Sequence, residues 1–542
     1  MILDFTGKDF VLRLARGEGD PRDFMNHRGL DYSTPASTPS EAILYTKEPW
    51  GVADLGQYAT PAALKQIEPI AKRIAASRAP TSGSHFKMPA DQELWGFQKA
   101  SLDYLLSGSG HGLIADEPGL GKTPQAIVYA NEIGAKRVLV ICPAAIRTQW
   151  ARKIEEWSTM LPPRLIYPVF NAKNGVHPNA QWVILSYALA RNPGIVAAIA
   201  KQRFDLIIMD ESHYLKDVDS YQTRAILGQA DGQYHPKGLD PIPAIISRAA
   251  NVLFLSGTPI VNRPLEAYTT TRALAWDAID YASLDKFRVR YNPQKEIIMR
   301  GGKRIKQERI GRVVELGNRM RGTFMARHAK REVMTQLKFP RYEVIQYEET
   351  KDIKRLIEAE SLLGIDVDAV QTTTDYEMLG HIATLRREMG IATAPQAAEY
   401  VRTLLEGGVE KIVVFGWHIE VLTILQQKLM RYGVVRIDGS TTGKARQAGV
   451  DSFITAPNIR VMLGNIQSMG VGVDGLQKVS QRCVLVEPSW TPGDNQQAID
   501  RLDRGGQLGS VQADFLVPPG SIIEKILVAA LKKAKIIHET LK

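Results

Sequence analysis

HGLIADEPGLGKTPQAIVYANEI, residues 111–133, decides the fold. A short apolar run enters a turn with glycines at 119 and 121, and a helix-period stretch follows Lys122 and Thr123. Glycines let backbone N–H groups close around phosphate oxygens, and the helix N-terminus adds favourable partial charge. In that frame Lys122 reaches β- and γ-phosphates and Thr123 holds Mg²⁺. The strict pattern has glycine five positions before Gly121, where this chain has Asp116. A glycine-rich turn with an incidental lysine is the alternative reading.

Outward from this stretch, short apolar runs alternate with helix-length segments: GLIADEP, RVLVICP, WVILSY, DLIIMDE and NVLFLSG. Continuous apolar runs bounded by turn residues indicate strands buried on both faces, hence a parallel sheet covered by helices. The pattern stops near Pro264 and resumes with KIVVFGW, VVRIDGS, IRVMLGN, RCVLVEPSW and QADFLVP. The chain therefore reads as α/β, with one unit at about 86–265 and another at about 395–520. A basic, mostly helical stretch runs to about Phe339, and residues 341–394 read as a helical linker. A last amphipathic helix starts at Ser521. Residues 1–80 stand apart as a small module: an apolar FVLRLA, a strand-like ILYTKEPW and a helical run from Trp50 to Arg78. The Ser/Gly/Pro-rich APTSGSHFKMP after it reads as a linker.

Composition narrows the class. The chain has 542 residues, 44% of them hydrophobic, which is enough for a buried core. No apolar run approaches the ~18 residues of a membrane span. Asp4 stands where a secretory signal carries positive charge, so no export signal is expected. The two cysteines, Cys142 and Cys483, lie in apolar runs that read as buried strands. That excludes a disulfide scaffold or a cysteine-based zinc site and fits a reducing cytoplasm. Lys and Arg number 68 against 58 Asp and Glu, a net of +10. From Lys286 to Lys338 there are 16 basic and 4 acidic residues, an excess of 16 − 4 = 12. This block reads either as attracting a polyanion or as a solvated helical face.

Two more segments carry chemistry. In LIIMDESH (206–213) a strand ends in Asp210 and Glu211, which suit a Mg²⁺ shell and the polarising of an attacking water. His213 is either a coupling residue or a polar residue at a strand–loop junction. In QQAIDRLDRGGQ (496–507) Arg501 and Arg504 are three apart, and on a helix they would share a face and could clamp a γ-phosphate. Taken alone, that stretch reads rather as a solvated basic face. Together the three segments suggest ATP lying between two α/β domains whose opening and closing becomes motion.

The order of these motifs resembles superfamily-two helicases, specifically the Swi/Snf family of double-stranded-DNA translocases, over about 450 residues from Leu94 onward. LWGFQKASLDYL looks like the family's adenine-reading motif, with Phe97 and Gln98 in its key slots. DEPGLGKT resembles its phosphate loop, with Pro118 where Met is usual. DESH stands for its acidic box, and LSGTPIVNRP for its coupling motif, placing Ser256, Gly257 and Thr258. FMARHAKREVMTQLKFP is similar to the segment after the family's helical protrusion. The string Gln497-x-x-Asp500-Arg501-x-x-Arg504-x-Gly506-Gln507 matches the last motif at every fixed position. Residues 387–442 look like the annealing-helicase, HARP-type subgroup. GNIQSMGVGVDG departs from the family form: Gly470 and Gly472 persist and Asp474 replaces a polar residue.

The resemblance implies two RecA-like parallel-sheet domains in tandem with helical insertions: 86–340 the first with its basic protrusion, 395–542 the second. It implies ATP and Mg²⁺, with Gly470, Asp474 and Gln497 also at the nucleotide. DNA contacts by resemblance are Pro143, Arg147, Gln149, Trp150, Ser186 and Tyr187 in the first domain. In the second they are Trp417, His418, Gly439, Ser440, Gln467 and Ser468. Trp150 reads rather as a core anchor on its helix. Residues 1–80 are either a reduced HARP-like recognition module or a packing extension of the first domain. The expected partner is double-stranded, forked or branched DNA, with a guiding protein partner possible and a monomer as the working state. The expected source is a compact bacterial or bacteriophage enzyme in the cytoplasm. The expected activity is ATP-driven translocation that remodels or reanneals DNA. Against it stand a strand-separating DNA or RNA helicase and a binding protein switched by ATP without directional motion.

Overall fold

The computed structural model describes the chain apart from residues 34–36, 39, 161–164, 230, 262, 276–282, 299–303, 309, 335–339, 347–349, 363–375, 470–472, 508 and 542. It divides into two compact units. One comprises Met1–Glu117, Gly121–Val333 and Ile536–Lys542, and the other Pro118–Leu120 and Met334–Lys535. Each contains a parallel sheet.

The first unit's sheet has seven strands, all parallel, in the order Met325–Ala326, His111–Ile114, Ala249–Leu255, Phe204–Asp210, Val138–Cys142, Trp182–Ser186 and Ile166–Pro168. Val138–Cys142 and Trp182–Ser186 are buried along their whole length, as expected for strands covered on both faces. The second unit's sheet has six parallel strands: Arg341–Gln346, Gln512–Val517, Arg482–Leu485, Ile412–Gly416, Val461–Asn465 and Val434–Ile437. Cys142 and Cys483 are free thiols buried in these sheets. Among the described residues no helix is long and apolar enough to cross a membrane.

Three expectations are corrected. The segment 341–394, read as a helical linker, begins with the edge strand Arg341–Gln346 paired to Gln512–Val517. The second sheet therefore starts some fifty residues earlier than 395. Between its helices the basic stretch also holds an antiparallel ladder, Gln294–Ile298 with Arg304–Glu308. Its charge is not wholly a solvated face: among the described residues Arg319, Arg321 and Lys330 are buried. Arg300, Lys303 and Arg309 of that block lie outside the described residues. The helical run from Trp50 breaks into two 3₁₀ turns, Pro49–Gly51 and Ala53–Tyr58, before the helix Pro61–Ala76. Thr60 caps that helix through Ala63 N, and Pro61 fits its first position.

The N-terminal residues form a four-stranded antiparallel sheet, Ile2–Phe5, Phe10–Ala15, Glu41–Thr46 and Asp31–Tyr32. In FVLRLA, Phe10, Leu12 and Leu14 alternate inward, and they cluster with Ala63 and Ile67 of the Pro61–Ala76 helix. Within the first unit this module is fastened to the helix Val313–Thr323. The Asn318 amide donates to Trp50 O at 2.8 Å, and Arg319 donates to Glu48 Oε2 at 2.7 Å and to Glu315 Oε1 at 2.9 Å. Arg290 joins the same fully buried Glu315 at 2.6 Å. A Cβ on Gly322 would lie 2.5 Å from the Trp50 ring, so only glycine fits there.

Candidate active site

Sheet register assembles the site in the first unit. Leu255 pairs with Ile114 on one side and Asp210 on the other. The phosphate-loop segment, the acidic box and the coupling motif therefore leave the sheet at one level, at the carboxyl ends of parallel strands where α/β folds bind ligands. Gly119 and Gly121 have φ of +89° and +74°, and a Cβ on Gly121 would sit 2.5 Å from Gln98 Nε2. The turn needs glycine there. Gly121 opens the helix Lys122–Glu132, so the helix begins at Lys122 with its N–H groups facing the turn. The Lys122 ammonium donates to Asp116 O at 2.8 Å.

Asp210 is buried and held on three sides. Trp150 Nε1 donates to its Oδ2 at 2.8 Å, Glu211 N donates to Oδ1 at 2.9 Å, and the Tyr187 hydroxyl donates to its carbonyl at 2.8 Å. Burial and the neighbouring Glu211 carboxylate raise the Asp210 pKa, against the pull of the Trp150 indole and the Lys122 ammonium. Glu211 has φ +54°, a left-handed conformation that costs a non-glycine residue about 1–2 kcal/mol. His213 Nδ1 lies 3.3 Å from Glu211 Oε2 and 3.2 Å from Ser256 Oγ. Ser256 Oγ in turn accepts from Thr258 N at 3.2 Å. The acidic box and coupling motif thus touch through His213.

A nucleotide and Mg²⁺ fit these residues. The glycine turn is a cradle that a Cβ would fill, and Thr123 and Asp210 are hard oxygen donors. No group of three or more His, Cys, Asp or Glu able to hold a metal occurs among the described residues. Two donors suit Mg²⁺, which keeps waters and phosphate oxygens as its other ligands. Of the adenine-motif residues, Gln98 accepts from Trp95 N at 2.8 Å. Phe97 is buried, with Trp95 edge-on at 5.7 Å, while Trp95 itself is 44% exposed.

The six residues expected to contact DNA in this unit differ in exposure. The side chains of Pro143, Trp150, Ser186 and Tyr187 are buried. Trp150 and Tyr187 spend their polar atoms on Asp210, and Ser186 caps the turn at Leu189 N. Of the remaining two, Gln149 is exposed. Arg147 is half-buried, donates to Ala144 O at 3.1 Å and lies over the Phe170 ring at 4.9 Å.

In the second unit, the helix Pro492–Ile499 stops before the arginines, so Arg501 and Arg504 lie in the following turn and not on a shared helical face. They converge nonetheless. Arg501 donates to Val473 O at 3.1 Å and Arg504 to Asp474 Oδ1 at 3.0 Å. Burial would raise the Asp474 pKa, but Arg504 outweighs it and holds the carboxylate low. Gln497 is buried on the helix itself. Gly470 and Gly472 lie outside the described residues.

Paired registers Gly416↔Asn465 and Ile437↔Gly464 bring three loops to one edge of the second sheet. Gly439, Ser440 and Gln467 are exposed there, and Trp417, His418 and Ser468 half-buried. Sequence reading missed what holds them. The fully buried Glu487 accepts from Trp417 N at 2.8 Å, from His418 N at 3.0 Å and from His418 Nδ1 at 2.6 Å. Asn465 donates to Trp417 O at 2.6 Å, and Arg386 lies over the Trp417 ring at 4.5 Å. The one available signal was Glu487 closing the apolar run RCVLVEP.

Residues 97–233 match the SNF2-related domain and residues 396–506 the Helicase conserved C-terminal domain. The DNA annealing helicase and endonuclease ZRANB3 of Mus musculus is 26% identical over 503 residues, 85% of this chain and 44% of that protein. That of Homo sapiens is 27% identical over 471 residues, 82% of this chain and 40% of that protein. The SWI/SNF-related matrix-associated actin-dependent regulator of chromatin subfamily A-like protein 1 of Xenopus laevis is 27% identical over 469 residues, 84% of this chain and 45% of that protein. The chain thus spans less than half the length of these relatives. Among solved structures, the Sulfolobus solfataricus SWI2/SNF2 ATPase core in complex with dsDNA matches with a TM-score of 0.37 and 18% identity, over 82% of this chain and 92% of that chain.

Proposed function

The chain belongs to the Swi/Snf family of superfamily-two helicases, and from that premise we propose that it hydrolyses ATP to move along double-stranded DNA and remodel or reanneal it. The observation that carries this reading is the Glu211–His213–Ser256 contact at the sheet edge, 3.3 and 3.2 Å. A nucleotide-hydrolysing site needs Lys122, Thr123, Asp210 and Glu211. It has no need of a histidine joining the water-side carboxylate to a third motif unless hydrolysis is reported onward.

In this reading Lys122 and the turn amides hold the phosphates, Thr123 and Asp210 hold Mg²⁺, and Glu211 polarises the attacking water. Mg²⁺ supplies charge neutralisation at the phosphates. Arg501 and Arg504 stabilise the charge that develops on the transferred phosphoryl group. Trp417, His418, Gly439, Ser440, Gln467 and Ser468 meet the DNA backbone, positioning the motor without reading bases. Double-stranded, forked or branched DNA is the substrate, the working unit is a monomer in the cytoplasm, and a protein partner can direct it to its site. ATP turnover measured without nucleic acid and with single-stranded DNA, duplex, forked DNA and RNA tests the proposal. Stimulation by duplex and fork is expected. Equal stimulation by RNA would overturn it.

A further inference from the structure

Asp116, which breaks the strict phosphate-loop pattern, is fully buried. A buried carboxylate costs several kcal/mol unless charge and hydrogen bonds compensate it. Its Oδ1 accepts from His328 N at 2.8 Å and faces His328 Nδ1 at 2.9 Å. Its Oδ2 accepts from Gln125 Nε2 at 2.9 Å. Gln125 lies on the helix that follows the loop, and His328 follows the strand Met325–Ala326, which pairs with His111–Ile114. One carboxylate therefore ties the strand before the loop, the helix after it and the neighbouring strand together. The peptide of that same residue offers its carbonyl to Lys122 at 2.8 Å.

The far side of the imidazole fixes its charge. His328 Nε2 lies 2.9 Å from Ala79 O. A carbonyl only accepts, so Nε2 carries a hydrogen, and Nδ1 facing a carboxylate oxygen carries the other. The ring is an imidazolium. Burial pulls its pKa down, but the Asp116 bond and charge and the Ala79 carbonyl prevail over that and over nearby Arg321, leaving it above the ordinary histidine value. Ser101 and Phe97, both on the adenine-motif helix, pack against the ring, with Phe97 at 5.6 Å between centroids.

We infer that His328 is a positioning residue for nucleotide binding: as a buried cation it neutralises Asp116 behind the phosphate loop and fixes the carbonyl that seats Lys122. Without it, Asp116 presents uncompensated negative charge to a loop that must receive phosphates. The cost falls first on nucleotide affinity and only secondarily on the chemical step. The inference rests on the ATPase reading, and the two fail differently: a wild-type chain that turns over no ATP defeats that reading before any variant is compared.

The test compares steady-state kinetics and thermal unfolding of the full chain and its His328→Gln, His328→Arg, Asp116→Asn and Asp116→Asn/His328→Gln variants with duplex DNA. His328→Gln should raise KM for ATP on the order of tenfold, the scale of removing a group that orients a ligand-binding residue from behind. Its kcat should fall less. His328→Arg keeps the charge and should return KM toward wild type, as should the doubly neutral variant. Should His328→Gln fail to fold, the doubly neutral variant decides: KM near wild type supports the inference and a tenfold rise overturns it. A folded His328→Gln with unchanged KM, or one in which kcat alone falls, also overturns it.

Discussion

The indole N–H of Trp150 donates to Oδ2 of Asp210 at 2.8 Å, so a residue expected at a DNA surface instead holds a carboxylate of the acidic box. Hydrogen bonds to charged groups contribute about 1.5–3 kcal/mol. Trp150→Phe keeps the aromatic packing and removes the donor. It should lower ATP turnover by about tenfold, equivalent to about 1.4 kcal/mol of barrier. Duplex affinity at fixed salt should stay unchanged, because Trp150 is 1% exposed. Titrating labelled duplex alongside turnover separates the roles: weaker duplex binding with normal turnover would restore Trp150 to the DNA surface.

Lys122→Ala should abolish hydrolysis while leaving the melting temperature nearly unchanged, because its ammonium hydrogen-bonds to the loop's own Asp116 and Glu117 carbonyls. Glu211→Gln should bind ATP and fail to cleave it. Nucleotide-binding fluorescence with phosphate release distinguishes the two variants. Wild-type turnover in Glu211→Gln would remove it from the water-activating role.

Arg504→Ala should leave ATP binding near normal and depress turnover by roughly 10³-fold, the scale of an arginine finger. Arg504 is held by Asp474 at 3.0 Å, so Asp474→Asn should lower turnover less, by misplacing the guanidinium without deleting it. Single-turnover kinetics at saturating ATP reads both. An Arg504→Ala chain that hydrolyses normally would contradict the phosphoryl-transfer role.

Deleting residues 1–80 should destabilise the first unit. Arg319 is 2% exposed and has Glu48 as one of its partners, and Trp50 lies against Gly322. Removing one partner of a buried ion pair costs about 3–5 kcal/mol. Glu48→Gln should lower the melting temperature in the same direction by less, because Glu315 still pairs with Arg319. Scanning calorimetry of both variants, with ATPase and fork remodelling measured on the truncated chain, tests this. A truncation as stable as wild type that hydrolyses ATP and has lost only fork remodelling would favour the HARP-like reading.

Most of the ten strands read from the sequence were legible because burial on both faces writes them as unbroken apolar runs, such as VLVIC and WVILS; the half-buried edge strand Val434–Ile437 is an exception. The strands missed are edges. Met325–Ala326 is too short to show a period, Ile166–Pro168 ends in proline, and Arg341–Gln346 is mostly exposed and carries charges. The family resemblance located the motifs along the chain but not the direction of their side chains, so the burial of Trp150 and Tyr187, both expected at the DNA, is visible only in the structure. Counting charge from Lys286 to Lys338 was blind to pairing, since the partner of Arg319 in the N-terminal module is Glu48, 271 residues away. Asp116 registered as a broken motif, and its meaning appears only once His328, 212 residues on, is seen against it.

The central claim is most directly tested by steady-state ATP turnover of the full chain across nucleic acids at fixed ionic strength. A low basal rate without nucleic acid, strong stimulation by duplex and forked DNA, and little by RNA are expected. A rate that no nucleic acid raises, or that RNA raises as much as duplex, would contradict it.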